Sequence, residues 1–131
     1  MQPAPTAVVA DDERLMREQI IASLKDAWPE LSIVGEASNG HEAVAIVQSL
    51  EPDIVFLDIS MPGMNGFQFL EGLRKIRTMD DTPVVFLTSS AFVSDVGRAI
   101  RSSARDYIVK PDTFEELESK LDVAIRRVGP V

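Results

Sequence analysis

An α/β fold on a doubly wound, five-stranded parallel sheet is what this sequence predicts, and three observations predict it. Short apolar runs alternate five times with amphipathic runs. Such alternation calls for right-handed crossovers between parallel strands, with helices on both faces of the sheet. The strand candidates are nearly continuous in apolar residues, as strands covered on both sides must be. Finally, four of the five runs end in polar residues with chemistry to offer: Asp11-Asp12, Asp58, Thr88 and Lys110.

The first strand is Ala7-Val8-Val9-Ala10. A helix is predicted from about Glu13 to Trp28, because Met16, Ile20, Leu24 and Trp28 recur four apart with Ile21 beside them. Pro29 stops it. Leu31 to Glu36 reads as the second strand, and Ser38 or Asn39 as the cap of a second helix with Ala43, Val47 and Leu50 on one face. Pro52 ends that helix, and Asp53 to Leu57 forms the third strand.

Ser60 to Gly66 is a loop rich in proline and glycine. Phe67, Leu70, Leu73 and Ile76 then mark a third helix. Pro83 to Leu87 is the fourth strand, followed by a weaker helix carrying Val93, Val96 and Ile100. Tyr107-Ile108-Val109 is the fifth strand. Thr113 and Glu116 form a capping box for the last helix, whose apolar face is Phe114, Leu117, Leu121, Ala124 and Val128.

Bulk properties exclude several functions. The 131 residues suit one compact domain, expected over 1–131 with a core of about 6–128. Thirteen basic against twenty-one acidic residues leave a formal charge of -8, which argues against direct nucleic-acid binding, since neutralising phosphates drives that affinity. There is no cysteine, hence no disulfide framework and no thiolate metal site. Met1 to Thr6 lacks the pattern of a secretory leader, and no stretch is long and apolar enough to span a bilayer. A cytoplasmic location is the expectation.

In an open α/β sheet, ligands bind beyond the carboxyl ends of the strands. Three carboxylates gathered there, Asp11, Asp12 and Asp58, repel one another and call for a hard cation, since neither His nor Cys stands close in sequence. Mg²⁺ suits an all-oxygen set, at roughly 2.1 Å per ligand with several waters retained. A carboxylate is also a competent nucleophile toward phosphorus. A lysine and a metal can share the charge on a transferring phosphoryl group, and a threonine hydroxyl can donate to it.

Four segments carry a resemblance. Val8-Val9-Ala10-Asp11-Asp12-Glu13, Phe56 through Gly66, Phe86-Leu87-Thr88-Ser89-Ser90 and Asp106-Tyr107-Ile108-Val109-Lys110-Pro111 look like the signature blocks of response-regulator receiver domains, the chemotaxis-regulator-like switches of two-component phosphorelays. The resemblance covers about Ala7 to Val128. Four blocks in order, each at a strand end, are far more specific than any one. The wording around Val34-Gly35-Glu36-Ala37 and Phe56-Leu57-Asp58-Ile59 further resembles LytTR-type regulators.

The resemblance implies a flavodoxin-like (βα)5 domain with strand order 2-1-3-4-5. It implies Asp58 as phosphoacceptor, with Mg²⁺ held by Asp11, Asp12, Asp58 and the main-chain carbonyl of Ser60. Lys110 would pair with the phosphoryl group, Lys110-Pro111 would be a cis peptide, and Thr88 with Tyr107 would form the switch pair. The implied partners are a sensor histidine kinase or phosphotransfer protein and an output domain or protein. The fourth predicted helix, the fifth strand and the last helix would form the read-out face, and a homodimer through it is a further expectation. No enzymatic activity is expected beyond the domain's own phosphorylation and dephosphorylation. A phosphatase that also forms an aspartyl phosphate would need an acid two residues after its nucleophile, where this chain has Ser60.

Overall fold

The structure is a computed structural model and describes residues 4–58, 66–75, 82–88, 106–109 and 114–128. In chain order these form β1 (Thr6–Ala10), α1 (Arg14–Ala27), β2 (Ser32–Ala37), α2 (Gly40–Leu50), β3 (Ile54–Asp58), α3 (Gly66–Arg74), β4 (Val84–Thr88), β5 (Asp106–Val109) and α4 (Phe114–Val128). The sheet is five-stranded, in the order β2-β1-β3-β4-β5. All four pairings are parallel, as the alternating pattern predicts. The helix predicted around Val93, Val96 and Ile100 lies outside the described residues.

Alternation within each strand explains why the apolar runs are continuous. Val8, Ala10, Val55, Leu57, Val84 and Phe86 meet Ala43, Val47, Phe69 and Leu73 in one core beneath α2 and α3. Their neighbours Ala7, Val9, Ile54, Phe56, Val85 and Leu87 meet Ile20, Leu24, Leu117 and Leu121 beneath α1 and α4. Successive strand side chains point to opposite faces, so a strand with a helix layer on each side must be apolar at every position.

The helices follow their sequence signals with one correction and one addition. In α1 the four-residue row holds: Ile20 and Leu24 are fully buried, with Met16 and Trp28 packed against the same core. In α2 the Asn39 side chain caps the helix by accepting from the Glu42 N–H at 2.8 Å, and the Glu42 carboxylate reaches back to the Ser38 N–H at 3.3 Å. The helix closes at Glu51, whose φ of 43° is left-handed, immediately before Pro52.

Leu50 is the correction. It was expected on the buried face, yet it is 48% exposed, because α2 there overhangs β2, the edge strand. The addition is in α3, where Phe69 is fully buried together with Leu73. Of the expected row, Leu73 is buried as predicted, and Phe69 joins it. The pair Phe69 and Leu73, four apart, stays on the sheet side.

Candidate functional site

The carboxyl edge of the sheet collects the acidic residues. β1 stops at Ala10, and the Asp11 N–H then donates to the Ala37 carbonyl at the end of β2, at 3.0 Å. Asp11 is fully buried. Its Oδ1 accepts from the Glu13 N–H at 2.9 Å, a side-chain turn that fixes the carboxylate and leads the chain into α1. Asp11 thus both sets the approach to α1 and belongs to the acidic cluster. Asp58 ends β3 and is 4% exposed, whereas Asp12 is exposed.

Carboxylate oxygens of Asp11, Asp12 and Asp58 all lie within 4.8 Å of one another. Like charges so close, two of them buried, are tolerated when a cation shares them. The donor set is all oxygen, which matches a hard divalent ion and fits neither a thiolate nor an imidazole site. The residues present thus fit the cation that the sequence calls for.

The other predicted site residues are placed in part. Thr88 is the last residue of β4, one step beyond Leu87, the register partner of Asp58. Tyr107 lies on β5 opposite Phe86, and Val109 opposite Thr88. Ser60, Lys110 and the Lys110-Pro111 peptide lie outside the described residues.

Arg17 was not singled out from the sequence. Its Nη1 donates to the Asp11 main-chain carbonyl at 2.8 Å, and its Nε donates to Glu36 Oε1 at 3.1 Å. Only 16% of its side chain is exposed. One of two arginines on an amphipathic helix carries no sequence signal for such a contact.

Comparison with known proteins agrees with this geometry. The family described as response regulator receiver domain matches residues 7–122. An uncharacterised response regulatory protein of Vibrio cholerae is 39% identical over 131 residues, covering 97% of this chain and 48% of that protein. The nitrate/nitrite response regulator NarL of Escherichia coli is 35% identical over 123 residues, covering 94% of this chain and 56% of NarL. The chain thus spans about half the length of these curated relatives. Among solved structures, the response regulator domain of Thermotoga maritima CheB superposes with a TM-score of 0.82 at 30% identity, covering 95% of each chain. The LytTR-type likeness finds no support in these relatives. Among the described residues, no helix is long and apolar enough to cross a membrane.

Proposed function

The chain belongs to the response regulator receiver domain family, and from that premise we propose that Asp58 accepts a phosphoryl group and that Mg²⁺ is bound beside it by Asp11, Asp12, Asp58 and the Ser60 carbonyl. The observation carrying this reading is the triad of carboxylates within 4.8 Å, with Asp58 buried at the strand end. Bound there, Mg²⁺ would supply charge neutralisation for the acidic cluster and the incoming phosphoryl oxygens.

The chain's own residues do the rest. An Asp58 carboxylate oxygen attacks phosphorus, the bond from phosphorus to the donor's imidazole nitrogen breaks, and that electron pair leaves with the imidazole. Burial of Asp58 excludes bulk water from the attack and strengthens every electrostatic interaction around it. Lys110 offsets charge on the transferred group, and the Thr88 hydroxyl donates to one of its oxygens. Thr88 and Tyr107 act as the switch pair. The donor is a sensor histidine kinase or phosphotransfer protein in the cytoplasm, and the recipient of the signal is an output domain or protein. A second copy of this chain is a further candidate at the face that includes β5 and α4. The domain acts as a switch and turns over no substrate beyond its own phosphoryl group.

Intact-mass spectrometry after treatment with acetyl phosphate and Mg²⁺ tests this. A single phosphoryl adduct is expected in the parent chain and none in Asp58→Asn or in excess EDTA. An adduct that persists in either sample refutes the assignment.

A further inference from the structure

We propose that Arg17 is a positioning residue for the acidic cluster: its guanidinium fixes the Asp11-Asp12 peptide and so aims the Asp12 carboxylate at the cation, while Glu36 holds the guanidinium in place. This rests on the reading of the cluster as a cation site. The three carboxylates are fixed by different means. Asp58 is set by its place at the end of β3, and Asp11 by the bond from the Glu13 N–H to its own Oδ1. Asp12 is exposed, so what orients it is the peptide from which it springs.

The Asp11 residue is gripped at both ends. Its N–H donates to the Ala37 carbonyl at 3.0 Å, and its carbonyl accepts from Arg17 Nη1 at 2.8 Å. Because that carbonyl belongs to the Asp11-Asp12 peptide, Arg17 sets the tilt of the peptide plane. Glu36, the neighbour of Ala37, receives Arg17 Nε at 3.1 Å. One planar fork therefore ties the start of α1 to the end of β2 across the acidic loop, a geometry an ammonium cannot reproduce.

The sign of the effect separates positioning from simple electrostatics. A positive charge beside a divalent site repels the ion, so a guanidinium acting only through its charge would weaken binding, and its removal would tighten it. Positioning predicts the reverse.

Mg²⁺ alone is titrated into the purified full chain and followed by calorimetry and by the backbone amide shifts of Asp12 and Glu13. The test compares the parent with Arg17→Lys, Arg17→Gln and Glu36→Gln. Loss of an outer support of this kind typically weakens metal binding by about 10-fold or more. That loss is expected in both Arg17 variants, including the charge-preserving lysine, with a smaller loss in Glu36→Gln. The Asp12 amide should also shift in metal-free Arg17→Lys, while urea unfolding shows the fold intact. Unchanged or tighter Mg²⁺ binding in Arg17→Lys overturns the inference and leaves the proposed function standing. If neither Arg17 variant folds, unchanged binding in Glu36→Gln overturns it. A parent chain that binds no Mg²⁺ removes the proposed function and this inference together.

Discussion

The residues that matter at the carboxyl edge are few, and their types reveal their chemistry more readily than their support. Asp11, Asp12 and Asp58 were legible in the sequence because each follows an apolar run, and the fold brings them within 4.8 Å. Arg17 was not, because its contact with the Asp11 carbonyl depends on how α1 leaves the loop, which no spacing encodes. The contrast with Arg14 is instructive. Arg14 also pairs with a carboxylate, Glu18, but its side chain is 81% exposed, and such helix pairs contribute about 0.3–0.5 kcal/mol. A different residue lies in the opposite situation. Ser23 is fully buried in α1, and its Oγ has no hydrogen-bond partner among the described residues. A buried hydroxyl left unsatisfied costs about 1–3 kcal/mol, and alanine is the better helix former. Ser23→Ala should therefore stabilise the fold by about 1 kcal/mol, seen as a higher urea midpoint at unchanged slope. A lower midpoint would mean that the hydroxyl makes a contact worth keeping.

At the scale of elements, strands were easier to read than helix faces. Every predicted strand is present within about one residue; in β1, β3 and β4 coverage on both faces makes the apolar runs unmistakable, whereas the edge strand β2 alternates. Helix faces were less secure at their margins. Phe69 was missed because a three-residue row and a four-residue row both pass through Leu73 in so short a helix, and the reading followed only the first. The contact of α2 with β2 shows an element-level constraint that a list of apolar positions does not reveal. β2 carries a register irregularity where Val8 pairs with Gly35, and α2 settles closely over that glycine. A Cβ at Gly35 would meet the Cγ2 methyl of Ile46 at 2.7 Å and Leu50 Cδ1 at 3.4 Å. The methyl of a β-branched side chain has little freedom to withdraw. Gly35→Ala should thus cost about 1–3 kcal/mol through overpacking. The paired variant Gly35→Ala/Ile46→Ala gives the methyl's space back, so the coupling in a double-mutant cycle should be favourable. If the two changes simply add in denaturation experiments, the close approach of α2 is not what excludes a side chain.

For the whole molecule, the question is how charge placed at one strand end reaches a partner. Phosphorylation as proposed would add up to about two negative charges at Asp58. Asp58 is in register with Leu87, next to Thr88, and Thr88 pairs with Val109 on β5, two residues past Tyr107. Leu87 belongs to the same core as Leu117 and Leu121 of α4. A shift of β4 at its carboxyl end would thus be felt both across the sheet at β5 and beneath it at α4, since packed interiors transmit strain. To move such a switch from 1:99 to 99:1 requires differential stabilisation of about 5.5 kcal/mol. Two or three charge-assisted hydrogen bonds, at about 1.5–3 kcal/mol each, are of the right size. The sequence made the site and the sheet legible because both are written in local patterns. The proposed switch would not be local: it would need two packings of nearly equal energy, which a single pattern of apolar positions does not encode. Amide shifts recorded with and without beryllofluoride and Mg²⁺ should therefore change at Asp58 and Thr88, along β5 around Tyr107, and in α4 near Leu117, while β2 and α2 on the far side stay still. Changes confined to the residues flanking Asp58 would mean that the phosphoryl group is read where it sits and that β4 carries nothing to β5 or α4.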